Sequence, residues 1–291
     1  MKRQLDIVIL SDLHLGTYSC HARELFLYLS SIDPKTLILN GDILDVWQFK
    51  KRYFPRQHME IIQLIIKMAL SGTKVYYITG NHDDVLRRFT DMSMGKISLR
   101  DKLVLQLKGE RYWIFHGDVF DARQWVSPLL NFFGKRGYDL LLRYNRWNNQ
   151  LRKRRGKEIK SISRSIKSSV GKAQFFIQKF EQKVIELATE QEYDYVICGH
   201  IHQPVIKEVN TEGHKLTYMN AGDWVENLTA LEYRHDQWTL YRYDELDYHL
   251  DNPKLRVPHK PSFEPKDLLN ELMESDTDTS LTSLEQKPAE E

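Results

Sequence analysis

Cysteine is scarce. Cys20 and Cys198 are the only two in 291 residues. That excludes a disulfide framework and makes a reducing, cytosolic address the default. No run of eighteen apolar residues occurs, so no transmembrane helix is expected. The N-terminus (Met1-Lys2-Arg3-Gln4-Leu5-Asp6) enters a strand directly and lacks the small-residue cleavage pattern of a signal peptide. No internal repeat is visible. Aromatic residues stop at Phe263, and the chain from 249 on is polar and acidic, the composition of a disordered tail with at most a short helix near 266–273.

At 41% hydrophobic and 28% charged, the chain can bury one sizeable core with decorations, or two small ones. The net charge of +2 conceals an asymmetry. Residues 135–183 hold 15 Lys and Arg against 3 Asp and Glu, net +12, whereas 262–291 hold 2 against 9, net −7. Such a split points to an anionic partner for the basic part.

The chain is organised around Thr36-Leu37-Ile38-Leu39-Asn40-Gly41-Asp42, a short apolar run that breaks at a glycine and ends in a carboxylate. Four other stretches share this layout: Ile7–Leu10 before Asp12 and His14, Val75–Ile78 before Asn81, His82 and Asp83, Tyr112–Phe115 before His116, and Tyr195–Cys198 before His200 and His202. Apolar runs of this length read as buried strands, and ligands in open α/β folds bind beyond the carboxyl ends of strands. Helical spacing over 21–31 and 56–70 completes a series of β-α-β units. Leu103–Leu107 and Arg111–Phe115 flank Lys108-Gly109-Glu110 as a hairpin, and strands resume at 194–198, 204–209, 215–219, 228–233 and 238–243. Between them, 122–190 is helical, basic and rich in aromatics. The expected segmentation is a core at 1–121 and 191–248, a helical insertion capping the site at 122–190, and the tail at 249–291.

Asp, Asn and His without Cys suit hard or borderline divalent ions: Mn²⁺, Fe²⁺, Zn²⁺ or Mg²⁺. Asp12, His14, Asp42, Asn81, His116, His200 and His202 are too many donors for one catalytic ion, which must keep a position open. They suit two ions about 3.5–4 Å apart that share a carboxylate and hold a nucleophilic hydroxide between them. His200 and His202, two apart on an extended strand, would face the same way. The histidines outside these stretches, His58 among them, read as surface residues.

Asp-x-His, Gly-Asp-x-x-Asp (Asp42, Asp45), Gly-Asn-His-Asp, His-Gly-Asp and Gly-His-x-His resemble, in order and spacing, the calcineurin-like metallophosphoesterases. The resemblance implies an α/β fold, a four-layer α-β-β-α sandwich of two mixed sheets with a helical lid. It implies that Asp12, His14, Asp42 and His202 hold one ion and Asp42, Asn81, His116 and His200 the other, most readily Mn²⁺. It places His82 beside the scissile phosphate, Asp83 as the residue orienting it, and Asp45 behind the ligands. Residues 5–245 look most like the UDP-2,3-diacylglucosamine pyrophosphatase branch, which hydrolyses a nucleotide-linked lipid at a membrane surface; His82 stands where well-known members of that branch carry Arg. The implied reaction releases UMP and lipid X, with Arg143, Arg146, Arg152, Lys160, Arg164 and Lys167 meeting diphosphate or anionic headgroups on the inner face of the membrane. The alternative is a general phosphoesterase for nucleotides, phosphodiesters or phosphoproteins. A nucleic-acid partner is not expected, because a cap over a small site disfavours a duplex.

Overall fold

The computed structural model describes residues 2–46, 54–121, 171–211 and 213–248. Residues up to Glu245 belong to one compact unit. Of the second unit, which starts at Leu246, only the end of a short 3-10 helix, Glu245–Tyr248, is described.

The strands sort their side chains with a period of two. In β1 (Arg3–Leu10), Val8 and Leu10 face one core while Ile7 and Ile9 face another. In β2 (Ile32–Asn40), Leu37 and Leu39 point the first way and Ile38 the second. Both faces of these strands are therefore covered. Parallel pairing of β1, β2, β3 (Lys74–Ile78) and β5 (Ile97–Arg100) forms the middle of a seven-stranded sheet. Antiparallel β4 (Ser93–Met94) closes one edge; β11 (Thr229–Arg234) and β12 (Gln237–Arg242) close the other.

The second sheet runs β6 (Lys102–Leu107), β7 (Glu110–Phe115), β8 (Tyr195–Cys198), β10 (His214–Asn220), β9 (Val205–Thr211). Its β7, β8 and β10 are parallel and its edges antiparallel. Ile114, Ile197 and Met219 of this sheet meet Ile7, Ile9, Ile38 and Ile78 of the other in the central core.

Helices complete the layers. Leu25, Tyr28 and Leu29 of α1 (Ala22–Ser31) and Ile61, Ile65 and Met68 of α2 (Arg56–Leu70) cover the first sheet. Phe180, Val184 and Ala188, one face of α3 (Gly171–Glu190) at spacing of four, cover Val196, Cys198 and Tyr218 of the second. The result is the four-layer order expected, with two mixed sheets. The outer helical layer of the second sheet comes from the end of the stretch read as a cap, and residues 122–170 lie outside the described residues.

Three details differ from expectation. Strand β2 starts at Ile32, before Pro34, which reads as a breaker. Pro34 is accommodated near the strand's start, and its carbonyl accepts a bond from Thr73 Oγ1 at 2.9 Å. Strands β4 and β5 give no alternation to detect, since β4 is exposed throughout. His58 is not a surface residue. It shares the buried face of α2 with Ile61 and Ile65, and its Nδ1 accepts the Gly16 N–H at 2.8 Å.

A buried polar group fixes β1 against β11. Glu232 on β11 takes both Arg3 Nη atoms, at 2.9 Å each, and the Tyr28 hydroxyl at 2.9 Å. Burial, together with the Glu232 charge, pushes the Tyr28 phenol far up, so it stays a donor. Glu232→Ala strands that hydroxyl, and is expected to cost about 1–3 kcal/mol in urea unfolding. Metal content should not change; a variant as stable as wild type would deny the network its role.

Candidate metal centre

Five parallel strand ends deliver the donors: β1, β2 and β3 from one sheet, β7 and β8 from the other. The loops beyond them are knitted to one another by backbone bonds. Asp12 N donates to Gly41 O at 3.0 Å, His14 N to Asp42 O at 2.9 Å, and Gly199 N to His116 O at 2.9 Å. Close approach needs glycine at these crossings. A Cβ on Gly41, which has φ +81°, would run into the His116 ring, and one on Gly199 would overlap Ser11 Oγ and Asp12 Oδ2.

The donors form two groups. His202 Nε2 lies 3.0 Å from Asp12 Oδ1, and His14 Nε2 lies 3.9 Å from the same oxygen. Asp42, His116 and His200 form the second group, with His116 Nε2 3.4 Å from Asp42 Oδ1. The groups abut, for His14 Nε2 is also 3.9 Å from Asp42 Oδ2. Asn81 follows β3 on the loop that also carries His82, whose backbone N–H donates to Asp42 Oδ1 at 2.8 Å.

The backbone at these donors is unusual. Asp12, His14, Asp42, His200 and His202 all have φ between +48° and +65°. Left-handed backbone outside glycine costs about 1–3 kcal/mol per residue and gathers at functional sites. Asp and His adopt it more readily than most residues. It also corrects the reason given for His200 and His202. They lie beyond β8 in a loop, not on a strand, and they diverge: His202 joins Asp12, and His200 joins Asp42.

Asp83 requires a second correction. It does not orient His82. Fully buried, it accepts the N–H groups of Gly80 at 2.6 Å and Ile43 at 2.9 Å and the Tyr77 hydroxyl at 2.6 Å, tying the β2 and β3 loops together. His82 Nδ1 instead meets Asp45 Oδ2 at 3.0 Å. The same oxygen lies 3.8 Å from His14 Nδ1, so Asp45 sits behind two imidazoles.

A further group escaped sequence reasoning. Asp223, fully buried, caps the turn at Val225 and has Oδ2 3.8 Å from His202 Nδ1. Asn227 Nδ2 holds the His202 carbonyl at 3.0 Å. The density of Asn, Asp and Gly over 220–227 was the available signal, since such residues mark tight turns.

A model of the calcineurin-like phosphoesterase family matches residues 5–204. The chain belongs to that family. It is 25% identical to a UDP-2,3-diacylglucosamine hydrolase of Ectopseudomonas mendocina, over 78% of this chain and 93% of that protein. It is likewise 25% identical to one of Marinobacter nauticus, over 82% and 98%. Among solved structures, an archaeal phosphodiesterase aligns over 81% of this chain and 98% of its own at 14% identity, with a TM-score of 0.39.

Membership in the calcineurin-like phosphoesterases makes the chain a hydrolase and implies divalent metal ions, and the side chains fit them. His116 Nε2 and Asn81 Oδ1 are buried with no hydrogen-bond partner. His116 Nδ1 lies 3.0 Å from the Asn40 carbonyl, a bond that fixes the ring and leaves Nε2 free to ligate. Two buried carboxylates among imidazoles, without thiolate, is a donor set for a hard or borderline cation.

Without ions, protons balance this family site. Burial disfavours charge on His116, but Asp42 and Asp12 outweigh it and push the imidazole up to about 10. Burial likewise raises Asp12 and Asp42, and the facing imidazoles outweigh it and hold both carboxyls low. Because the folded pKa of His116 lies above its unfolded value, its contribution is full below that ordinary value and is lost as pH rises towards about 10. Cation binding must displace that proton, so Mn²⁺ affinity is expected to climb from pH 6.5 to 9. Calorimetric titration at several pH values checks this; affinity falling with pH would contradict it.

The other sequence-derived contacts, Arg143, Arg146, Arg152, Lys160, Arg164 and Lys167, lie outside the described residues. Among the described residues no helix is long and apolar enough to cross a membrane.

Proposed function

We propose that this phosphoesterase works with two divalent ions, most readily Mn²⁺, and cleaves the pyrophosphate of UDP-2,3-diacylglucosamine to UMP and 2,3-diacylglucosamine 1-phosphate, a step of lipid A synthesis. The observation that carries the two-ion reading is the contact of the donor groups, with His14 within 3.9 Å of both Asp12 and Asp42. The substrate is suggested by the curated hydrolases, nearly all of whose length this chain spans.

Asp12, His14, Asp42 and His202 would hold one ion, and Asp42, Asn81, His116 and His200 the other. Such ions supply Lewis acidity towards phosphoryl oxygens and a hydroxide nucleophile at neutral pH. Around them, this chain's own groups set geometry. The His82 N–H aims Asp42, Asn40 O aims His116, and Asp45 fixes the His82 ring with Nε2 4.0 Å from Asp42 Oδ2. Burial lowers the His82 pKa, but Asp45 and Asp42 raise it more, which favours the protonated ring that a departing oxygen would draw on.

In this reading the insertion 122–190 would cap the site, with Arg143, Arg146, Arg152, Lys160, Arg164 and Lys167 meeting the diphosphate or anionic headgroups. The enzyme would work on the inner face of the cytoplasmic membrane and bind no nucleic acid. Purified protein with Mn²⁺ should turn over UDP-2,3-diacylglucosamine and prefer it to the deacylated analogue by orders of magnitude if the cap holds acyl chains. No turnover there, beside good turnover of soluble phosphodiesters, would remove the lipid substrate.

A second reading, hydrolysis of simpler phosphoesters, is favoured by the His82–Asp45 pair. A pyrophosphate departs as a stable phosphate anion. An ester departs as an alkoxide, which needs the proton that such a pair delivers.

A further inference from the structure

A surface that the proposed chemistry leaves unused runs from the loop after β3 along the sheet edge. The 3-10 helix Asp84–Phe89 begins directly after Asp83, and the β4–β5 hairpin follows it. Phe89 is 47% exposed, Met92 44% and Met94 62%, all within six residues. Residues 91–96 are exposed without a break. Three large exposed apolar side chains in six residues, at the end of the 3-10 helix, in the turn after it and on edge strand β4, are unlike the scattered single ones of an ordinary surface.

Cations flank them. Arg87 is committed to Asp118 at 2.5 Å and Asp101 at 3.3 Å, and Arg100 to Asp91 at 3.2 Å. Arg88 and Lys96 are exposed, and neither is paired with a carboxylate among the described residues; Arg88 Nε donates to the Val85 carbonyl at 3.1 Å. The Arg88 guanidinium instead lies 5.9 Å from the centre of the Phe89 ring, a cation resting beside an apolar anchor. The Arg87–Asp118 bridge fixes the 3-10 helix to the turn that follows His116.

We propose that Phe89, Met92 and Met94, with Arg88 and Lys96, form a docking edge for a bilayer containing anionic phospholipid. This rests on the reading that the substrate carries acyl chains and must be drawn from a membrane. Apolar side chains flanked by exposed cations match the boundary between acyl chains and anionic headgroups. The edge starts at the segment leaving the Asn81–Asp83 loop and runs along β4 towards the amino end of β5. It is separate in sequence from the basic stretch 122–170.

Flotation of the full chain with vesicles tests it. Vesicles of phosphatidylethanolamine and phosphatidylglycerol should bind the protein; phosphatidylcholine vesicles should bind it at least about fivefold less, and salt should weaken the former. The triple substitution Phe89→Ser, Met92→Ser, Met94→Ser should reduce binding by about tenfold or more, and Arg88→Glu with Lys96→Glu by a similar factor. Both variants should keep wild-type Mn²⁺ content and turnover of bis(p-nitrophenyl) phosphate, which shows that they fold. Vesicle binding unaffected by either variant, or no vesicle binding by wild type, overturns the docking edge. So does a concentration-dependent dimer broken by the same substitutions, which would place a second copy of the chain on β4. Vesicle binding through this edge, with UDP-2,3-diacylglucosamine left uncleaved, would instead remove the substrate and leave the edge standing.

Discussion

Asp42→Ala is expected to empty the site and reduce turnover by at least about 10⁴-fold. Asp42 is the carboxylate on which the centre converges. Oδ1 lies 3.4 Å from His116 Nε2, while Oδ2 lies 3.9 Å from His14 Nε2 and 4.0 Å from His82 Nε2. In the proposed two-ion reading, its loss would leave like-charged ions with no shared anion between them and would take a member from each ligand set. Lost Lewis-acid stabilisation of several kcal/mol corresponds to several powers of ten in rate, at about 1.4 kcal/mol for each. Asp42→Asn separates charge from shape, because Asn tolerates the left-handed backbone at φ +53° that Ala resists. The Asn variant should fold as wild type yet bind Mn²⁺ far more weakly. Elemental analysis beside kcat decides: two retained equivalents of metal in either variant would show that Asp42 is not shared.

How much of this was legible beforehand depends on how local each cause is. Strands β1, β2, β3, β7 and β8 were visible because their apolar runs are local, and the donors because they follow those runs directly. The four layers followed from the resemblance and are seen in the alternation of Ile7 and Ile9 against Val8 and Leu10. What stayed hidden depends on contacts distant in sequence. Asp83 neighbours His82 in the chain, which suggested that one orients the other. Yet it turns towards Tyr77 and the backbone of Gly80 and Ile43, while Asp45, thirty-seven positions away, reaches the ring. The left-handed backbone of five donors is imposed by the neighbouring loops that bond to them, and no residue pattern announces it. His58 shows the reverse. Its burial was readable from spacing with Ile61 and Ile65, and a polar name obscured it.

His82→Ala is expected to leave both ions in place and reduce turnover by about 10²–10⁴-fold, the range for lost proton donation or charge stabilisation. The ring is held through Nδ1 by Asp45, and no backbone bond that fixes the metal loops passes through it. Asp45→Asn should weaken the same function less, since it removes the charge that favours the imidazolium but keeps an acceptor oxygen. It should also shift the pH profile. The Asp45 bond is the largest influence raising the His82 pKa, so the limb on which activity falls with rising pH should move to lower pH in the variant. The effect of His82→Ala should differ between substrates. An alkoxide leaving group needs the proton and should feel the full loss; a phosphate leaving group should be spared much of it. Equal losses on alkyl phosphodiester and pyrophosphate substrates would mean that His82 stabilises charge on the phosphoryl group and gives up no proton. A variant that emptied the site of metal would return His82 to the ligands and overturn its separate role.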